Sequence, residues 1–154
     1  MLFARLGHLA ITPVPTDLRE LFDGTVGLLA SRAHEKALAV QVDVAAEVPA
    51  TVAVDGVRVR QILFNLVSNA IKFTDKGYID VTISEEAGSK HMIKIEVLDT
   101  GLGLDENEFN QIFNKFYQVK SAGLAGQGTG IGLALVREFS RLHGGEVSVS
   151  SEKG

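Results

Sequence analysis

Three stretches of this chain carry residue types that could do chemistry together. In the first, Arg60-Gln61-Ile62-Leu63-Phe64-Asn65-Leu66-Val67-Ser68-Asn69-Ala70-Ile71-Lys72-Phe73-Thr74, two amides and an ammonium stand at Asn65, Asn69 and Lys72. Their spacing of i, i+4 and i+7 lines them along one edge of a helix. Amide oxygens suit a hydrated Mg²⁺ or polar phosphate groups, and a lysine neutralises phosphate charge. Ordinary residues bordering a core give the same stripe, so both readings stand on this segment alone. In the second stretch, Asp99-Thr100-Gly101-Leu102-Gly103, the carboxylate can accept from an exocyclic amino group such as adenine N6 and would repel a guanine carbonyl. Its glycines allow a flat base to approach the backbone. A plain strand-to-helix turn also favours Asp and Gly, and that reading stays open. The third, Gly126-Gln127-Gly128-Thr129-Gly130-Ile131-Gly132-Leu133, runs into a helix, whose N-terminal N–H groups and dipole attract phosphate. It is not a P-loop, because no Gly-Lys-Ser/Thr follows. Nor is it the dinucleotide fingerprint, because Leu133 stands three after Gly130.

The elements that must position these residues can be read from periodicity. Ile62, Leu63, Leu66, Val67, Ala70 and Phe73 form one apolar helical face, and Asp55 caps that helix, which runs to about Thr74. Upstream, Leu9 to Thr12 is β-like and Thr12-Pro13-Val14-Pro15 ends it. Thr16 or Asp17 caps a helix to about Lys36, and Ala37 to Val44 alternates as a half-buried strand. Pro49 marks a loop. Downstream, Asp75-Lys76-Gly77 turns the chain into the strand Tyr78–Ile83. A turn at Ala87-Gly88-Ser89-Lys90 leads to the strand Met92–Leu98. Asp105 caps a short helix through Ile112, and Phe113 to Thr129 is a glycine-dotted loop. Ile131 to Leu142 is helical, Gly144-Gly145 breaks it, and Glu146 to Ser150 is a last strand. This order predicts an α+β fold: a two-layer α/β sandwich with a mixed, mostly antiparallel sheet and three main helices on one face.

Bulk properties narrow the function classes. At 154 residues, with 45% hydrophobic and 22% charged residues, the chain is one domain's worth with a real core. A net charge of −4 argues against a general nucleic-acid or acidic-membrane surface. The absence of cysteine removes disulfides, zinc ribbons and thiol nucleophiles. No apolar run approaches the roughly 18 residues of a spanning helix, so this fragment is expected to make no direct membrane contact. A cytoplasmic location is expected, with any inner-membrane anchor of a parent protein elsewhere.

Asn65 to Thr74, Asp99 to Gly103, Phe113-Asn114-Lys115-Phe116 and Gly128 to Leu133 follow the order and spacing of the N, G1, F and G2 boxes. Together they resemble the catalytic ATP-binding domain of two-component sensor histidine kinases, of the Bergerat fold shared with gyrase, chaperone and mismatch-repair ATPases. The likeness covers residues 12–154. Ile11-Thr12-Pro13-Val14-Pro15-Thr16-Asp17-Leu18 resembles the junction after the dimerisation helices of hybrid kinases, which leaves residues 1–11 as a linker remnant.

The resemblance implies a role for each matching residue. Asn69 is the Mg²⁺ ligand, with Asn65 beside it as a second candidate, and Lys72 meets phosphate; Phe73 closes the same box. Asp99 anchors adenine, and Gly101 and Gly103 shape the pocket. Tyr117 covers the base, and Phe113 and Phe116 pack the lid. Gly126, Gly128, Thr129, Gly130, Ile131, Gly132 and Leu133 supply phosphate-binding backbone. Where some members place an arginine on the γ-phosphate, this chain has Gln118, leaving Lys115 and Lys120 as nearby cations. Related ATPases keep a glutamate at the place of Asn65. An amide cannot take a proton from water at neutral pH, so the site is expected to hold Mg-ATP for transfer rather than hydrolysis.

The implied activity is that of a protein histidine kinase. The acceptor histidine would lie on a separate dimerisation and phosphotransfer domain, with onward transfer to a response-regulator receiver. His34-Glu35-Lys36-Ala37-Leu38-Ala39 matches only the first two positions of an acceptor motif, and His8, His91 and His143 resemble neither ligand nor base. The chain alone is therefore not expected to autophosphorylate, and it has no certain catalytic residue of its own. The alternative is an ATP-responsive binding module without transfer. Family members usually continue beyond Gly154 with one more apolar strand, so the final strand is expected to be missing.

Overall fold

The computed structural model describes residues 11–86, 88, 92–114, 117 and 132–151. The chain enters through a short strand, β1 (Val14–Thr16), and passes into helix α1 (Leu18–Glu35). Asp17 caps α1 by accepting from the Glu20 N–H at 3.1 Å, which satisfies one of the helix's unpaired donors. Strand β2 (Ala39–Val44), strand β3 (Val52–Val54) and helix α2 (Gly56–Phe73) follow. Strands β4 (Tyr78–Glu85) and β5 (Ile93–Asp99) form a hairpin, closed by the Glu86 N–H on the Met92 carbonyl at 2.8 Å. Helix α3 (Gly132–Leu142) comes last.

Among the described residues the strands form two sheets. β4 is the centre of the larger one, parallel to β2 and antiparallel to β5. Its Ile79, Val81 and Ile83 are all essentially unexposed, because the helices cover that face and alternate residues point into it. β1 and β3 pair antiparallel, Val14 opposite Val54. The expected two-layer α+β arrangement with three helices is what forms.

The apolar face of α2 is shared between two neighbours. Leu63, Val67, Ala70 and Ile71 enter the main core with Leu18, Phe22 and Leu29 of α1 and the inner face of the sheet. Ile62 and Leu66 turn instead to Val136 and Phe139 of α3. The Arg58 guanidinium lies 4.9 Å from the centre of the Phe139 ring, adding a cation–π contact to that seam. α2 is thus the helix between the other two.

Several expectations need correction. The prolines do not end a strand: Pro15 lies inside β1, opposite Ala53, while Ile11 and Thr12 are not in a strand. A proline lacks a ladder donor, and an edge strand with one partner tolerates that. β3 occupies part of the segment read as a loop after Pro49. The helix expected from Asp105 to Ile112 is a single 3-10 turn, Glu106–Glu108, followed by turns. There the Glu108 side chain takes the Asp105 N–H at 3.4 Å, and three-residue backbone bonds follow, Glu108 N–H to Asp105 O at 2.9 Å and Gln111 N–H to Glu108 O at 2.9 Å. Residues 146–150 are not a strand. Their burial alternates and Val147 packs on the α3 cluster, but among the described residues no neighbouring strand pairs with them.

The C-terminus of α1 holds a local strain. The Leu38 N–H bonds the Ala33 carbonyl and the Ala37 N–H bonds the His34 carbonyl, both at 2.9 Å, the Schellman pattern that calls for a left-handed residue. That residue is Ala37, at φ 55°, where a Cβ is penalised by about 1–2 kcal/mol. Ala37→Gly is therefore expected to raise stability by about 0.5–1 kcal/mol; chemical denaturation measures it, and an unchanged midpoint would refute the strain.

Asp55 caps α2, taking the Arg58 N–H at 3.3 Å on one oxygen and the Thr12 N–H at 2.9 Å on the other. The Thr12 bond chiefly holds its carboxyl below the ordinary 3.8; desolvation opposes this, while the Arg58 N–H and charge support it. A depressed carboxyl stabilises the fold above its unfolded pKa, and that contribution disappears as pH falls through the folded value. Wild-type stability is expected to fall more steeply below about pH 3.8 than that of Asp55→Asn. Denaturant midpoints taken across pH 2–6 check this, and parallel curves would exonerate the carboxylate.

Candidate functional site

Asn65, Asn69 and Lys72 all lie half-buried on α2, between its core face and solvent. Asn65 is held in place across the fold: its Nδ2 donates to the Gly132 carbonyl at 3.2 Å. A Cβ at Gly132 would stand 3.2 Å from Asn65 Oδ1, so glycine permits this close seating. The first N–H groups of a helix lack intrahelical partners. Asn65 therefore stands beside the positive end of the α3 dipole, where negative charge is favoured. The Lys72 ammonium lies 5.2 Å from the centre of the Phe73 ring.

At its other end α2 meets the Asp99–Gly103 turn. The Leu102 N–H donates to the Phe73 carbonyl at 3.3 Å, and the Gly101 N–H donates to Asp99 Oδ1 at 2.9 Å. Among the described residues Asp99 Oδ2 takes no hydrogen bond, and the side chain is exposed, at the end of a strand covered on one face only. Gly103 sits at φ +74°, a left-handed geometry suited to glycine. A Cβ at Gly101 would fall on the Phe73 carbonyl oxygen. The turn is thus pressed against the end of α2. Phe73 lies eight positions beyond Asn65, about 12 Å along the helix.

The lysine of α1's cap supports this end. Lys36 Nζ donates to the Ile71 and Lys72 carbonyls at 2.8 and 3.2 Å, and Asp75 lies 3.7 Å away. A cation on these last carbonyls also offsets the negative end of the dipole.

Tyr117, expected over a base, donates its hydroxyl to Glu108 Oε1 at 2.9 Å. Burial pushes the phenol up, and the bond to Glu108 adds to that. Glu108 is 6% exposed and was not singled out from sequence. Its spacing after Asp105 was the available signal, since an acid three residues past a cap can turn back on it. His143 also holds structure together: its Nδ1 faces the Phe139 carbonyl at 2.8 Å, and its Nε2 accepts the Asp55 N–H at 3.1 Å. Those partners select the Nδ1–H tautomer. His34 is exposed at the end of α1.

Leu133, expected to offer backbone to phosphate, packs its side chain on the α3 core cluster. Phe113 is buried. Lys115, Phe116, Gln118, Lys120, Gly126, Gly128, Thr129, Gly130 and Ile131 lie outside the described residues, as do His8 and His91. No helix among the described residues is long and apolar enough to cross a membrane. No cluster of three or more His, Asp or Glu side chains among them could cage a metal. A Mg²⁺ brought in by phosphates needs only one or two protein oxygens. The amide oxygens of Asn65 and Asn69 fit that requirement.

Residues 54–154 match the profile of the histidine kinase-, DNA gyrase B- and HSP90-like ATPase family. The aerobic respiration control sensor protein ArcB of Escherichia coli K12 is 39% identical over 142 residues, covering 91% of this chain and 18% of that protein. The signal transduction histidine-protein kinase BarA of the same strain is 36% identical over 149 residues, covering 95% and 16%. The chain therefore spans less than a fifth of these relatives. Among solved structures, full-length ShkA in complex with AMPPNP superposes with a TM-score of 0.85 at 35% identity, over 99% of this chain and 31% of that one.

Proposed function

The chain belongs to the histidine kinase-, DNA gyrase B- and HSP90-like ATPase family, and from that premise we propose that it is the ATP-binding catalytic domain of a sensor histidine kinase of the hybrid type. It binds Mg-ATP and donates the γ-phosphoryl group to a histidine on a separate dimerisation domain. A response-regulator aspartate is the onward acceptor. Residues 12–154 are the nucleotide-binding unit and residues 1–11 the trailing end of a linker, in a protein whose kinase portion is cytoplasmic.

One observation carries this reading. A single helix, α2, bonds the start of α3 through Asn65 at 3.2 Å and the Asp99–Gly103 turn through the Phe73 carbonyl at 3.3 Å. Asn65 with the start of α3 stands at one place on this helix, and Lys72 with the Asp99–Gly103 turn at its C-terminal end. Asp99 takes the adenine amine, Lys72 neutralises phosphate, and Asn69 with Asn65 holds Mg²⁺. The metal supplies charge neutralisation on the transferring phosphoryl oxygens when bound. Asn65 ties its Nδ2 to Gly132 and keeps Oδ1 as an acceptor, with no proton-accepting group at that place for water activation.

The decisive experiment mixes this chain and γ-labelled ATP with a separately made histidine-bearing dimerisation hairpin. Mg²⁺-dependent label on the histidine is expected. Bound nucleotide without label on the histidine would favour the ATP-responsive module instead. Rapid phosphate release without the hairpin would point to a hydrolase.

A further inference from the structure

We propose that the outer edge of β5 is a self-association surface: the chain pairs antiparallel with a second copy of itself, β5 against β5, in one register centred on Ile95. β5 ends one side of the larger sheet, and an edge strand offers its outward N–H and C=O groups as a template for another strand. The phase of the β4–β5 hairpin fixes which groups these are. The Glu86 N–H bonds the Met92 carbonyl, and the Thr100 N–H bonds the Tyr78 carbonyl. Bonding alternates along an antiparallel pair. Met92, Lys94, Glu96 and Leu98 therefore turn their backbone groups towards β4, and Ile93, Ile95 and Val97 turn theirs away. Among the described residues no ladder partner meets that edge. Residues 145–151 pass nearby, with Gly145 at the Met92 side chain and Ser151 Oγ taking the Leu104 N–H at 2.9 Å. Val147 between them is drawn to the α3 cluster instead.

The side chains select the partner. With Ile95 opposite Ile95 of the second copy, Ile93 faces Val97, Lys94 faces Glu96 and Met92 faces Leu98, each twice by the two-fold symmetry. Every pair is apolar with apolar or opposite in charge. Lys94 and Glu96 already touch at 2.7 Å along the strand, and the second copy completes a square of alternating charges. These pairs fall where no backbone bonds intervene and side chains stand closest. Leu98, 53% exposed, gains the cover of Met92. Ile93, Ile95 and Val97, packed against the main core, line up on the opposite face.

Other registers are opposed. Sliding by two residues sets Glu96 on Glu96 or Lys94 on Lys94, and like charges directly opposite repel. Sliding by one lays the apolar face of one strand beside the charged face of the other. The favoured register spans Met92 to Leu98 and leaves the Asp99–Gly103 turn outside it.

Sedimentation equilibrium of the wild-type chain is expected to show a monomer–dimer equilibrium with a Kd of roughly 10–100 μM, the strength of a small transient contact. Hydrogen exchange should slow with rising protein concentration at the Ile93, Ile95 and Val97 amides. Lys94→Glu and Glu96→Lys each make both cross pairs repulsive, and each is expected to weaken dimerisation at least roughly tenfold. The double variant Lys94→Glu/Glu96→Lys reverses every charge, restores the pairs and should dimerise as the wild type does. Both positions are exposed, so the variants should keep the fold. A wild type that stays monomeric across that concentration range overturns the proposal. So does protection of those amides that is independent of concentration, the mark of an edge filled by the chain's own residues. A dimer that survives both single variants, or that the double variant fails to restore, has its contact elsewhere and overturns it as well. Should a variant fail to fold, the wild-type exchange pattern decides alone.

Discussion

Gly101→Ala is expected to weaken ATP-analogue binding on the order of 100-fold, about 2.7 kcal/mol, and to lower the melting temperature as well. The added Cβ meets the Phe73 carbonyl oxygen, Thr74 Oγ1 at 2.8 Å and Asp99 Oδ1 at 2.9 Å at once. The first obstacle is backbone at the end of a packed helix, which cannot step aside as a long side chain does. The turn must move outward, carrying Asp99 with it, and overpacking of this kind typically costs about 1–3 kcal/mol. Gly24→Ala is the matched control. No atom lies within 4 Å of its would-be Cβ, and it sits in the interior of α1, where alanine is favoured by up to about 1 kcal/mol. Titration calorimetry and thermal melts on both variants separate the cases. Wild-type affinity in Gly101→Ala would mean that the turn does not border the base.

Asp99→Asn is expected to reduce ATP-analogue affinity roughly 10–100-fold while leaving the fold intact. A hydrogen bond to a charged group is worth about 1.5–3 kcal/mol, and the substitution does more than remove charge. The amide oxygen can still accept the Gly101 N–H that now bonds Oδ1 at 2.9 Å. The NH₂ group then replaces the outward oxygen and confronts the base's amine, donor against donor. Since Asp99 is exposed at the end of β5, little core packing depends on it and the melting temperature should hold. The same change should improve a 6-oxopurine analogue relative to ATP. Unchanged affinity would remove the adenine assignment.

Elements governed by local rules were legible before any coordinates. The caps Asp17 and Asp55, the helical period of α1 and α2, and the alternation along β2 and β4 come from interactions within a few residues, and they form as expected. What failed depends on partners distant in the chain. β1 and β3 are three residues each and exist only because they pair with one another across 38 positions; a proline in one made the pattern look broken. Residues 146–150 alternate like a strand, yet alternation describes a covered face and not a ladder partner. A 3-10 turn stands where a helix was expected, closed by the Glu108 carboxylate on the Asp105 N–H, a capping bond that a longer helix would make equally. In the site, the stripe Asn65–Asn69–Lys72 was visible from spacing. Its bond to Gly132, 67 residues away, was not. His143, read as neither ligand nor base, matters through partners supplied by the fold, the Asp55 N–H and the Phe139 carbonyl.

The Thr12–Asp55 bond and the β1–β3 pair have a mechanical consequence. Residues 12–16 are clasped to the strand that runs directly into α2, and Thr12 grips the residue that caps it. A displacement of residues 12–16 therefore reaches the first turn of α2 through Asp55 and β3. The clasp is short, so it transmits small displacements and yields to large ones. The helix that receives them carries Asn65, Asn69 and Lys72 along its length, and at its far end bears on the turn that holds Asp99. A displacement of residues 12–16 thus meets one rigid helix that runs from the Asp55 cap to the Asp99–Gly103 turn.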